Sequence, residues 1–278
     1  MNILVTGASG FLGSKLLTEL NKIFDSIHGV SSRDTKTSIG CNLNLKDRVK
    51  ELIDSVEPDC IIHCAASVPR KASDYQDRSI AKSNLQMTEN ILNTSSCPII
   101  YISSMTVYGN SKIGSLSEAE ICNPLSHYAQ SKLDCELLIK ESDRKGFAVR
   151  IPGLFGLPRK SGLVYNLISS ALTGDEINLP QVPISWAGIH VADVVQGIIG
   201  LLPITSKSFS EVNIGCTGEA SVNHLIHLVN DIYGSNIETT IKHPVFEFDL
   251  SLYQALTALP VINLRQSLKK FGDEIDIQ

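Results

Sequence analysis

Short apolar runs alternate with amphipathic stretches from the first residues of the chain. Asn2 to Thr6 (NILVT) is a brief apolar run bounded by a glycine, the pattern of a strand covered on both faces. Leu12, Leu16, Leu17 and Leu20 then recur at the spacing of one helix face. The alternation continues through SIHGVSSR, SIGCNLNL, a polar helix predicted over Lys46 to Val56, and DCIIHCAAS. A second half follows the same grammar, with a helix from about Gln76 to Leu92 before CPIIYISS and another from about Ser126 to Arg144 before GFAVRIPG. Strands alternating with helices imply parallel pairing through right-handed crossovers, which makes the chain α/β with a doubly wound parallel sheet.

From Gly153 the texture changes. Pro152, Pro158, Gly162, Gly174, Pro180 and Pro183 punctuate short elements, predicting a smaller C-terminal substrate lobe. Ile189 to Ile214 still reads strand, helix, strand. The expected organisation is a dinucleotide-binding Rossmann domain over 1–152, to which 189–214 returns, and a substrate-binding lobe made of 153–188 and 215–278.

The dinucleotide assignment comes from the turn after the first strand. Gly7, Gly10 and Gly13 fall between strand and helix, as G-x-x-G-x-x-G rather than G-x-G-x-x-G. A phosphate there needs backbone N–H groups at a helix N-terminus with no side chain obstructing close approach, and glycine supplies both. The turn through Gly7, Gly10, Phe11, Leu12 and Gly13 is therefore the candidate phosphate cradle, the plainer alternative being a structural βα turn.

Composition narrows the classes. With 43% hydrophobic residues the 278-residue chain can bury a full core. Its 24 basic and 29 acidic residues, net −5, are spread without blocks, which points away from nucleic acid and anionic membranes and toward a small-molecule partner. The seven cysteines (Cys41, Cys60, Cys64, Cys97, Cys122, Cys135, Cys216) are odd in number, lack C-x-x-C pairing and fall mostly in apolar context, so reduced thiols and no metal site are expected. No signal peptide precedes Asn2, and the longest apolar stretch, VADVVQGIIGLLPI, falls short of the roughly twenty residues of a membrane span. A cytoplasmic protein is expected.

The candidate chemistry lies in the second half. Tyr128 and Lys132 are four residues apart on a predicted helix, so their heads can converge, and an ammonium beside a phenol favours the phenolate that a general acid/base near neutral pH needs. YISSMTVYG places Ser103 and Ser104 at the carboxyl end of the preceding strand, the edge where open α/β sheets bind ligands. A hydroxyl there can polarise a substrate oxygen or simply cap the strand end.

GASGFLG, HCAAS, YISSMTVYG, YAQSK, VRIPGLFG and IHVADVVQGI, in that order over about 1 to 240, resemble the landmarks of the extended short-chain dehydrogenase/reductases of the NAD-dependent epimerase/dehydratase type. The resemblance implies that Ser104 polarises the substrate, with Ser103 as substitute, that Tyr128 gives or takes the proton, and that Lys132 assists Tyr128 and binds ribose. It also implies that the backbones of Cys64, Ala65 and Ala66 line the cofactor trough, with Pro152 a further contact. Asn42-Leu43 stands where the family places Asp-Leu over the adenine. Where NAD-preferring members carry an acid, GVSSRD offers Ser31, Ser32 and then Arg33, whose planar fork suits a 2′-phosphate. That favours NADP over NAD, unless Arg33 is a solvated loop residue and Asp34 accepts the ribose.

Met105 and Thr106 replace the Asp-Glu pair of the family's dehydratases, and no Cys sits between Ser103 and Gly109 as in its 3,5-epimerising reductases. This leaves a 4-keto reductase or 4-epimerase of a nucleotide-linked sugar. Gly153 replaces the Asn of R-x-x-N-x-x-G, and Trp186, Ala187 and Gly188 occupy the place of the arginine before IHV. Arg159 and Lys160 could bind a diphosphate or form a solvated loop, and Trp186 could stack on a base or be core. A carbonyl reductase or alcohol dehydrogenase on a smaller non-nucleotide substrate, and a non-catalytic NAD(P)-binding regulator, remain as alternatives. His63 and His190 read as structural histidines and His127 as pointing away from Tyr128. The resemblance further implies a homodimer joined by the helices of Gln76–Leu92 and Ser126–Arg144.

Overall fold

The computed structural model describes residues 1–110 and 113–276. Along the chain run β1 (Asn2–Thr6), α1 (Phe11–Leu20), β2 (Ser26–Ser31), β3 (Ile39–Gly40), α2 (Lys46–Val56), β4 (Cys60–His63), α3 (Arg78–Thr94) and β5 (Ile99–Ile102). They are followed by β6 (Gly114–Leu116), α4 (His127–Glu141), β7 (Gly146–Arg150), β8 (Gly153–Phe155), α5 (Leu163–Thr173), β9 (Gly188–His190) and α6 (Val191–Leu201). The chain closes with β10 (Ser210–Asn213), α7 (Val222–Tyr233), β11 (Phe246–Phe248), α8 (Ser251–Thr257) and α9 (Leu264–Asp276). Single 3₁₀ turns at Ala72–Gln76 and Met105–Tyr108 precede α3 and follow β5. Asp77 explains why α3 starts later than its apolar periodicity suggests: its carboxylate accepts from the Ser79 N–H and caps the helix there.

The main sheet has seven strands in the order β10-β7-β5-β4-β1-β2-β3, parallel in every pairing from β3 to β7. Successive strands step outward from β1 in one direction and from β4 in the other, the doubly wound arrangement whose switch point lies between β1 and β4. Strands β4, β5 and β7 are buried throughout, as their apolar runs require, with His63 and Arg150 the polar ends of β4 and β7. On one face Leu4, Ile61, Ile99 and Tyr101 pack with Leu52 and Ile53 of α2, Met87 and Ile91 of α3, and Ile139 of α4.

Two compact units divide the chain. The first comprises Met1–Gly109, Cys122–Arg150 and Ile198–Val212, and the second Asn110–Ile121, Ile151–Gly197 and Asn213–Gln278. Within 189–214, β10 joins the main sheet, whereas β9 pairs in parallel with β8 in a separate two-stranded sheet. A further small parallel sheet joins β6 and β11. No described helix is long and apolar enough to cross a membrane.

Candidate active site

The glycine turn is set by distances no side chain tolerates. Gly7 has φ +68°, and a Cβ there would lie 2.7 Å from the Ala65 nitrogen, so the first turn and the segment after β4 approach backbone to backbone. Gly13 is already helical, and its Cβ would sit 2.2 Å from the Gly7 carbonyl oxygen. Gly10 N-caps α1 without a side-chain acceptor and donates its own N–H to Gly7 O at 2.8 Å. Leu12 is buried and anchors the helix, while Phe11 is half-buried. Such a bare helix N-terminus is shaped for a diphosphate.

A cavity of about 340 Å³ opens beside it, lined by Gly7, Gly10, Asn42 and Leu43 and by Cys64, Ala65 and Ala66. Sequence reasoning missed Ser9, Asn44, Ser67, Ser83 and Met87, which share the lining. Ser83 and Met87 lie one turn apart on α3, where helical periodicity marks a face without saying what it faces. Burial pushes the Cys64 thiol up to about 12, against the opposing pull of Lys132. At the end of β2, the Ser31 hydroxyl donates to the Arg33 carbonyl (2.7 Å) and touches Ser38 Oγ (2.6 Å). The Asp34 carboxylate accepts from the Gly40 N–H at 2.7 Å. Arg33 is exposed, and no described residue holds its side chain.

Ser104 caps the 3₁₀ turn after β5, its Oγ accepting from the Thr106 N–H (3.2 Å) and from Thr106 Oγ1 (2.9 Å). Ser103 is buried and donates instead to Glu136. Tyr128 lies in the first turn of α4, which Ser126 caps by accepting from the Ala129 N–H. Lys132 follows one turn later, 4% exposed, donating to the Ile102 carbonyl at 2.7 Å. Its Nζ is 4.8 Å from the Tyr101 ring centroid and 6.0 Å from that of Tyr128. Ser104, Tyr128 and Lys132 thus belong to one unit, around the carboxyl end of β5.

The electrostatics correct one expectation. Burial pulls the Lys132 ammonium down to about 8, but it also pushes the half-buried Tyr128 phenol well above its ordinary value, reinforced by Tyr75, whose ring meets that of Tyr128 edge-on at 5.8 Å. The expected preference for phenolate is absent because the ammonium is bonded to Ile102 O, and desolvation dominates. His63 lies between Thr6 Oγ1 (2.7 Å) and Thr88 Oγ1 (3.3 Å), and burial, aided by the Lys132 charge, lowers it to about 3. His127 Nε2 accepts from Arg78 Nε at 3.4 Å.

The remaining sequence candidates lie in the second unit, with Pro152 at its start. Arg159 Nη1 reaches the Leu154 carbonyl at 3.4 Å, and Lys160 is exposed. The Trp186 ring covers Gly188, where a Cβ would meet it at 2.8 Å. His190 Nε2 meets the Glu274 carboxylate at 3.2 Å.

A glycine-lined helix N-terminus at the switch point of a doubly wound sheet defines a dinucleotide-binding class of protein. Within that class, residues 3–215 match the model of the NAD dependent epimerase/dehydratase family, and the chain belongs to that family of extended short-chain dehydrogenase/reductase enzymes. It is 26% identical over 292 residues to D-erythronate dehydrogenase of Haemophilus influenzae, covering 94% of this chain and 90% of that one. It is 29% identical over 274 residues to an uncharacterised UDP-glucose epimerase of Bacillus subtilis, covering 84% and 83%. The solved structure of MoeE5 in complex with UDP-glucose and NAD shares its fold over the whole of both chains, with a TM-score of 0.81 and 23% identity.

Proposed function

We propose that the protein transfers hydride between NAD(P) and a secondary alcohol or ketone of a nucleotide-linked sugar, as a 4-keto reductase or 4-epimerase. The observation that carries this reading is the gathering of Ser104, Tyr128 and a buried Lys132 at the end of β5, in the unit that holds the glycine cradle. Gly7, Gly10 and Gly13 would hold the pyrophosphate, and Lys132 the ribose. The bound nicotinamide supplies the hydride donor or acceptor. A serine hydroxyl has one proton and two lone pairs; Thr106 donates twice to Ser104 Oγ, so the Ser104 proton is left for the substrate oxygen. Tyr128, neutral in the resting site, donates its proton to the oxygen of a ketone under reduction and is left as phenolate; oxidation runs the same step in reverse, the phenolate taking the proton of the alcohol.

A second reading, a smaller hydroxy-acid or carbonyl substrate, is favoured by Gly153 and Trp186-Ala187-Gly188, which supply no side chain suited to a diphosphate, and by likeness to D-erythronate dehydrogenase along nearly the whole chain. Mass spectrometry of the ligand released on denaturation separates the two. The test of the chemistry is Tyr128→Phe, which should keep cofactor binding and slow single-turnover hydride transfer by about 10²–10⁴. A parent-like rate would refute the reading.

For the cofactor we favour NADP. Asp34 is engaged with Gly40 N–H, and Arg33 has a guanidinium available for a 2′-phosphate. NADPH should bind more tightly than NADH, and Arg33→Ala should narrow the gap by roughly 1.5–3 kcal/mol; equal affinities in the parent overturn this choice. We also read the chain as a cytoplasmic homodimer joined through α3 and α4, consistent with the 46% exposed Leu137 on α4. Light scattering that finds only monomer removes the dimer.

A further inference from the structure

Beneath the proposed catalytic residues lies a buried ion pair that the chemistry does not use. Glu136 is 1% exposed and Arg150 is 4% exposed. Arg150 Nη2 donates to Glu136 Oε2 at 2.6 Å, and its Nε lies 3.2 Å from both carboxylate oxygens. Glu136 also accepts from the Ser103 hydroxyl. Arg150 Nη1 donates to the Tyr108 hydroxyl at 3.1 Å, with the guanidinium 4.9 Å from that ring's centroid. Three elements therefore meet at one carboxylate, α4, the end of β5 and the end of β7, and Arg150 ties in a fourth, the 3₁₀ turn that carries Thr106, through the Tyr108 hydroxyl.

Tyr128, Lys132 and Glu136 are spaced i, i+4, i+8 along α4, so the tie falls on the stripe that carries the two candidate groups. Ser103, its other end, is adjacent to Ser104. Two desolvated charges are a costly way to obtain cohesion, since well-packed apolar side chains serve as well or better. What a bidentate, fully bonded pair provides is a fixed rotation and height of the helix against the strand.

We propose that the Glu136–Arg150 pair is a positioning device that holds Lys132 and Ser104 in register across α4 and β5; it rests on the reading above only for what those residues then do. The test uses the double variant Glu136→Leu/Arg150→Met, which removes both charges together and leaves no buried charge unpaired. By NADH fluorescence titration the double variant should bind at least tenfold more weakly while melting close to the parent. Amide exchange in the ligand-free double variant should quicken at least tenfold over 103–108, with β2 unchanged. Parent-like affinity and exchange in a folded double variant overturn the proposal, as does a uniform rise in exchange, which marks a merely cohesive role. Should the double variant not fold, Glu136→Asp, which keeps the charge but shortens the reach, must show the same localised exchange, and parent-like exchange overturns the proposal. A Lys132→Met protein with parent affinity for NADH refutes the assignment of Lys132 as a cofactor ligand, and the exchange result still decides the proposal.

Discussion

Each unit buries a histidine at the end of a strand, and the two are held in opposite ways. His63, ending β4, is fixed between two threonine hydroxyls, so nothing rewards its charge and burial holds it near 3. His190, ending β9, faces the carboxylate of Glu274, which opposes the lowering that burial imposes. The contrast extends to their surroundings. In the first unit the cradle is made of backbone approaching backbone, with neutral hydroxyls filling the gaps. In the second unit charged ties join segments distant in sequence, Glu274 to His190 and to the Leu157 N–H, Lys270 to Asp193, and Arg265 to Asp231, whereas the buried pair of the first unit, Glu136–Arg150, does not line the cradle. A site built from backbone contact leaves glycines in the sequence; one built from such ties leaves only common polar residues.

The sharpest way to break the comparison is Gly13→Val. With a Cβ 2.2 Å from the Gly7 carbonyl, no rotamer relieves the clash, and we expect a loss of roughly 5 kcal/mol or more with NADH binding abolished. A folded variant that still bound NADH would show that side chains, not backbone approach, build the cradle. Next in size is acid sensitivity from His63. The unfolded chain takes up this proton near 6.5 and the folded chain only near 3, so the unfolded state holds more protons between those values. Stability should fall as pH drops through that window, by up to roughly 3–5 kcal/mol, and the fall should shrink in His63→Gln when urea midpoints are compared from pH 7 to 4. Identical slopes would remove His63 as the cause. The His190 effect has the same sign and is smaller, because Glu274 opposes it. Glu274→Gln should deepen the acid sensitivity, seen as faster amide exchange in α9 below pH 6.5, and an unchanged pH dependence would mean the carboxylate does not set it.

Several elements were legible before any coordinates. Helix α2 has the predicted bounds, because Val49, Leu52, Ile53 and Val56 supply a clean inward face. The predicted α4 runs past the observed Glu141 to Arg144, yet it carries Tyr128 and Lys132 on one side as expected. What was illegible is which charge sits where in a buried network. The i, i+4 spacing of Tyr128 and Lys132 says that the groups are neighbours; it does not say that Lys132 turns to Ile102 O, or that Tyr75, 53 positions earlier, closes over the phenol.

The alternation of main-sheet strands and helices from β1 to β7 and the glycine turn followed from the sequence alone, because burial on both faces and forbidden side-chain volume act locally and mark the residues themselves. The doubly wound class followed from their alternation. Only the tertiary structure decided that β9 pairs with β8 rather than entering the main sheet, that Asp34 is engaged with Gly40, and that Glu136 and Arg150 join β5, α4 and β7 at one buried point. Those outcomes depend on desolvation and on partners brought together from distant positions, and neither is written in the spacing of any single segment.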